Sequence, residues 1–549
     1  MSISFSFTNQ LINLHRSICT DQSAPKTTMT PPNFTDNTSD PAKFNKWQAK
    51  IASYCNKIRA EIRHPYKIPD SELPSQEELD HGLNAIELSH KFLSPHEKQV
   101  TDLEAVVLAE KIAAGEYSAV EVFHAYAKRA VIAHQLTNCA MELFLEEGLK
   151  RAHELDEHFK QHGTVVGPLH GLPISLKEHL DVKNKVTHSS YVGWLDRVSP
   201  ETSTTVQSLY DSGAVFYVRT SEPQGLMHVC SNNNITGKTR NPWNTALTPG
   251  GSSSGEGAIA AMKGSALGLG SDIGGSVRCP AAFCGVWGLR PSSKRLSLLH
   301  TSSAYVDQIP EIVVPVVGPF SRSADDLDLF MRASLAKEPW KSDASVLPIP
   351  WRKAEEPEPR SLKIAVIYDD GYVKPTPPIL RGLKIAAEKL RAAGVTVVEW
   401  ENIEVAELVN AACAAYTSDG NYTSKKQLAV SGEPLLPLTK VSLSFAGADT
   451  GISALEPETI HYWGYTSLWN ILDFPNVVFP TGLQVDTELD AKDTSFQARN
   501  DTERYEYELY TGPEDFAGAP ISLQLTGRRY ADETVVKAAK VLHTIISKS

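Results

Sequence analysis

The sequence predicts an α/β protein with a largely parallel sheet, and three observations carry that expectation. Residues 364–367, 378–393 and 395–400 read as strand, helix and strand, the βαβ unit whose crossover joins parallel neighbours. The short apolar runs at 173–176 and 214–218 are of the kind that forms strands buried on both faces. Segments of helical period alternate with these runs along much of the chain. A length of 549 residues corresponds to three or four units of about 150 residues, yet one large α/β domain absorbs it.

Taken in order, residues 1–43 are rich in Ser, Thr, Pro and Asn and poor in apolar clusters, which predicts a disordered leader. Residues 44–100 form a helical N-terminal segment, with helical pattern over 44–64 and 75–93 interrupted by Pro65, Pro69 and Pro74. From 101 to 549 the chain reads as the main domain. A helix over 102–113 ends at Gly115, and the next starts at Ser118-Ala-Val-Glu121, a capping box, with Val122, Phe123, Tyr126 and Ala130 on one apolar face. A further helix spans 141–162 and stops at Gly163. One over 204–212 precedes the apolar run at 214–218, residues 477–479 and 521–525 are further strand candidates, and a last helix covers 532–547.

Composition excludes several classes. Lys and Arg number 53 against 65 Asp and Glu, and the net charge of −12 argues against a general nucleic-acid binder. No run of about 18 apolar residues occurs, so no membrane-spanning helix is expected. The seven cysteines are scattered and odd in number, which speaks for buried, inert thiols rather than a disulfide framework. The expected setting is cytoplasmic.

Residues 231–292 are rich in Gly, Ser and Ala and carry two unusual loops, Thr248-Pro-Gly-Gly-Ser-Ser-Ser-Gly-Glu-Gly257 and Gly268-Leu-Gly-Ser-Asp-Ile-Gly-Gly-Ser-Val-Arg278. Paired glycines let backbone N–H groups converge on one point, and a serine directly after such a pair sits beside ready-made donors for an oxyanion. Gly251-Ser-Ser253-Ser-Gly255 formally matches the GxSxG elbow, but a loop rather than a strand precedes it. Gly237-Lys-Thr239 lacks the first glycine of a phosphate-binding loop, and Gly268, Gly270 and Gly274 are wrongly spaced for a dinucleotide fingerprint. A serine needs a base. Lys177 follows the apolar run 174–176, so burial of its amine at a strand end would lower its pKa and make it a candidate; pairing with Glu178 is the plainer alternative. His170 and His179 flank the same segment, and spacing alone leaves a histidine dyad open.

Together, Gly167-Pro-Leu-His-Gly-Leu-Pro-Ile-Ser-Leu-Lys-Glu178, Pro249-Gly-Gly-Ser-Ser-Ser-Gly-Glu-Gly257 and the segment from Gly268 through Arg278 to Ser292 resemble the amidase signature family, in particular its fungal acetamidase-like branch. The resemblance runs from about residue 101 to the C-terminus. It implies a large mixed, mostly parallel central sheet covered by helices on both faces. It implies hydrolysis of a small carboxamide to acid and ammonia through an acyl-enzyme, with Ser276 as nucleophile, Ser252 as the bridging serine after a cis peptide from Gly251, and Lys177 as base. Backbone N–H groups of Ile273, Gly274, Gly275 and Ser276 would hold the oxyanion, with Ser252 and Leu226 also lining the substrate site. Asp272 and Arg278 would pin the loop, Ser253 would hydrogen-bond within it, and Ser254 stands where many relatives have glycine. No metal or organic cofactor is implied, and the partners expected are a small-molecule amide, no nucleic acid, no membrane and a possible homodimer. One departure stands out: between Ser431-Gly-Glu-Pro434 and the Gly464-Tyr-Thr-Ser467 motif the chain is short, as if the core were cut between about 440 and 460. A catalytically impaired relative retained for binding is therefore the alternative.

Overall fold

The computed structural model describes residues 38–303, 313–400, 405–444 and 462–548, so the leader at 1–37 and most of the shortened stretch lie outside it. Ten strands are present among these residues: β1 (Ala140–Leu143), β2 (Pro173–Lys177), β3 (Val215–Thr220), β4 (Leu267–Asp272), β5 (Trp287–Arg290), β6 (Val316–Ser321), β7 (Lys363–Val366), β8 (Thr396–Glu399), β9 (Asn476–Gln484) and β10 (Pro520–Thr526). Eight of them form one sheet in the order β1-β3-β2-β4-β6-β5-β9-β10. Every residue of β2, β3 and β6 is buried. Successive side chains in a strand point to opposite faces, so this sheet centre is covered on both.

The sheet is mixed and the class α/β, as the sequence implies, but the expected parallel majority is not found. Only β3–β2 and β2–β4 pair in parallel; the other five of the seven pairings are antiparallel. The βαβ unit at 363–399 does pair in parallel, yet β7 and β8 make a separate two-stranded sheet. An unbroken apolar run reports that both faces are covered and carries no information on strand direction. A second difference lies at β1, whose residues 141–143 read as the start of a helix. Ala140, Met141 and Leu143 fit either period, and pairing with β3 decides for a strand, the helix beginning only at Leu145 (Leu145–His162).

Local signals elsewhere are realised as written. Ser118 Oγ accepts from Glu121 N–H and the Glu121 carboxylate accepts from Ser118 N–H, opening the helix Ala119–Thr137. The helix Ser254–Ala261 is buried along its whole length and packs against β2, β3, β4 and β6. β2 and β4 run side by side in the same direction, with Leu176 opposite Leu269. Their C-terminal ends therefore lie together, which brings Lys177 beside Ser271 and the loop that follows β4.

Candidate active site

Lys177 is the last residue of β2 and has no exposed surface. Its Nζ lies 2.7 Å from Ser252 Oγ and 3.1 Å from Ser271 Oγ. The Gly251–Ser252 peptide is cis, as the resemblance implies. A Cβ at Gly251 would run into the carbonyl oxygens of Cys230 and His228, so glycine is what lets this loop lie flat on the 228–230 segment. Ser276 is buried, and its carbonyl accepts from Ser253 N–H at 3.1 Å, tying the two serine loops together. Among the described residues no hydrogen bond joins Ser276 Oγ to Ser252 Oγ, so the contact brought together here is that of Lys177 with Ser252.

The loop after β4 is held from three sides. Asp272 accepts from Gly275 N–H at 2.9 Å and from Val277 N–H at 3.1 Å, and forms a two-pronged pair with Arg278, Nε to Oδ2 at 3.0 Å and Nη2 to Oδ1 at 2.9 Å. The Gly275 N–H, expected among the oxyanion donors, thus donates to Asp272 in this arrangement. A carboxylate at the start of a tight turn collects the amides that follow it, a demand that the glycine pair itself does not reveal. Tyr416 donates to Ile273 C=O at 2.7 Å and Thr466 Oγ1 to Gly274 C=O at 2.5 Å. Gly275 has φ 132°, and a Cβ there would lie 2.5 Å from Thr466 Oγ1 and 2.8 Å from Cys279 Sγ, so only glycine fits. Ser253 Oγ donates to Ser271 C=O and Ser254 Oγ to Cys230 C=O, each at 3.3 Å.

Leu226 sits in the turn Gln224–Leu226 with φ 66°. Its neighbour Met227 is the residue that packs with Ile273 against Val313, Ala412 and Tyr416. Tyr416, Thr466, Ser271 and Asn470, which donates to Asp272 at 2.9 Å, are site residues that sequence reading missed. Ser271 lies within the quoted serine loop and Thr466 within the Gly464-Tyr-Thr-Ser467 motif, though neither motif states its partner; Tyr416 and Asn470 lie far along the chain.

Burial dominates the electrostatics. It pushes the Lys177 amine down to about 8, against the pull of Glu222, Asp272 and Glu256. Burial raises Glu256 to about 7 although Thr220 Oγ1 and Ser175 Oγ each donate to it at 2.7 Å. For Asp272 burial acts upward too, but the Arg278 guanidinium outweighs it and holds the carboxyl well below the usual range. Burial also pushes the Cys139 and Cys279 thiols up to about 12, which leaves them unreactive.

Glu178, His188 and Glu222 are buried with ligand atoms within 4.8 Å of one another, the one such group among the described residues. Two of the three are already engaged by the protein's own groups. Glu178 already accepts from the N–H groups of His188 and Ser189 and from Arg219 Nη2, each at 2.9 Å. His188 Nδ1 accepts from Ser190 N–H at 3.1 Å, and its Nε2 faces Tyr54 Oη at 3.0 Å.

Comparison with known proteins identifies the family. The family model described as Amidase matches residues 121–450. An acetamidase of Emericella nidulans is 39% identical over 82% of this chain and 90% of its own, and one of Aspergillus oryzae 37% identical over 84% and 93%. A solved structure of a fatty acid amide hydrolase superposes with a TM-score of 0.90 at 42% identity, covering 94% of this chain and 98% of that one. With a glycine-rich serine loop on each side of a buried lysine, and a family match over more than half its length, the chain belongs to the amidase signature family of hydrolases acting on amide C–N bonds.

Proposed function

We propose that the protein hydrolyses a small carboxamide through Ser276, Ser252 and Lys177. The observation that carries this reading is the fully buried Lys177 amine, 2.7 Å from Ser252 Oγ and lowered to about 8, which makes a neutral base accessible near physiological pH. Lys177 accepts the Ser252 hydroxyl proton as Ser252 takes that of Ser276, and Ser276 Oγ adds to the amide carbonyl. Backbone N–H groups of Ile273, Gly274 and Ser276 hold the oxyanion, each donor of this kind contributing about 3 kcal/mol. The proton returns through Ser252 to the leaving nitrogen, ammonia departs, and water attacks the acyl-Ser276 ester by the same relay to give the acid.

A longer acyl chain is the second reading, favoured by the likeness to the fatty acid amide hydrolase. The impaired-relative alternative rests on the short stretch between about 440 and 460, and of this 445–460 lie outside the described residues. The test is ammonia release from acetamide, longer aliphatic amides, benzamide and a long-chain fatty amide, beside Ser276→Ala. Turnover of the short amides that vanishes in the variant supports the proposal. Turnover confined to the fatty amide moves the reading to a long acyl pocket. Folded protein that neither turns over nor labels with a fluorophosphonate overturns both.

A further inference from the structure

From Lys177 a line of polar groups leads away from Ser252. Lys177 Nζ is 3.1 Å from Ser271 Oγ, Ser271 Oγ is 2.8 Å from His179 Nε2, and His179 Nδ1 is 2.9 Å from the carbonyl oxygen of Ser302. The line ends on a group that can only accept. Nδ1 therefore carries the ring proton, and Nε2 presents a lone pair. The Ser271 hydroxyl proton must then point at Nε2, which leaves the oxygen lone pairs of Ser271 facing Lys177. The ring is buried, and burial pulls it down to about 3, so it stays neutral with this tautomer.

A neutral amine has two N–H groups and one lone pair. With Ser271 accepting, one N–H of Lys177 is committed to it, and the hydroxyl left to donate to the lone pair is that of Ser252 at 2.7 Å. We infer that His179 is a positioning residue of the hydrolytic site: by holding the proton of Ser271 it keeps the Lys177 lone pair for Ser252. The inference rests on Lys177 being the base. Without the ring acceptor, Ser271 turns its O–H toward the same lone pair and competes with Ser252. The backbone of His179 is separately anchored, its C=O accepting from Ser302 N–H at 2.9 Å, so a side-chain change leaves that strap in place.

The rate at which an alkyl fluorophosphonate labels Ser276 in the full chain reads base function without knowledge of the substrate. His179→Leu is expected to slow labelling about 10- to 100-fold with half-saturation by the probe unchanged. Ser271→Ala, which removes the competing proton along with one anchor, is expected to lose only about threefold. The deciding variant combines the two: His179→Leu with Ser271→Ala is expected to label faster than His179→Leu alone, whereas losses that multiply overturn the inference, because a merely structural histidine gives that result. If His179→Leu fails to unfold cooperatively, His179→Gln takes its place. Its amide offers an acceptor to Ser271 and a donor to Ser302, so labelling within about fivefold of the parent supports the inference and a hundredfold loss overturns it. Lys177→Ala separates the two levels: parent-like labelling removes the base reading itself, while slow labelling there beside an unaffected His179→Leu overturns only the role of His179.

Discussion

Lys177 ends β2 with no exposed surface, and the chemistry of the site follows from the difficulty of hydrating an ammonium there. Because its pKa lies near about 8, kcat/KM is expected to rise about tenfold per pH unit on the acid side and to level above about 8, as the base acts only when neutral. A profile flat from pH 6 to 9 counts against a lysine base. Lys177→Ala is expected to lower kcat by about 10²–10⁴-fold, checked by initial rates alongside thermal unfolding to confirm the fold. At this scale the sequence was largely readable: Lys177, Ser252 and Ser276 stand in motifs quoted from the chain alone, and the first two are brought together at 2.7 Å. The engaged N–H of Gly275 was not readable, since whether an amide is free depends on where a carboxylate three residues earlier points. Leu226 lies next to Met227, which packs, as Ile273 does, against the cluster of Val313, Ala412 and Tyr416.

The helix Ser254–Ala261 shows how an element is fixed to the sheet by one buried acid. Glu256 in its first turn accepts from Ser175 on β2 and Thr220 on β3. Its pKa is raised in the folded protein to about 7, so this group favours the fold most below its ordinary value of 4.5, and that contribution is lost as pH rises through about 7. The loss is of order 3 kcal/mol across the interval. Glu256→Gln is expected to flatten the dependence of unfolding free energy on pH between 5 and 7; a slope equal to that of the parent refutes the assignment. Element type was legible wherever a period ran long, as in the helix Ala119–Thr137 with its capping box. Short apolar runs were ambiguous, which is why β1 was read as helix, and they were silent on direction, which is why a sheet with five antiparallel pairings was read as mostly parallel.

Across the whole molecule, Arg278 gathers distant parts into one network. Beyond Asp272 it reaches the carbonyl of Thr466 at 2.9 Å, Asn476 on β9 at 2.8 Å and Gln524 on β10 at 3.1 Å, with Asn470 a further partner. Removing the guanidinium strands a buried carboxylate, so Arg278→Met is expected to lower stability by about 3–5 kcal/mol, read from denaturant midpoints. A loss under 1 kcal/mol means that Asp272 finds other partners. The nearness of Asp272 and Arg278 in sequence announced their pairing. Their links to 466–524 could not be read, because a single chain does not state which distant residues the fold brings home.

Thr466 and Asn470 hold a loop that was synthesised nearly 200 residues earlier, being 192 and 198 positions from Gly274 and Asp272. The order of synthesis therefore leaves this loop without its clamps until late in translation. A nascent chain that has already emerged with Lys177, Ser252 and Ser276 still lacks the clamps on the Gly274 carbonyl and the Asp272 carboxylate. Chains stalled on the ribosome with about 440 residues exposed are expected to resist fluorophosphonate labelling, and to gain it once residues past 470 have cleared the exit tunnel.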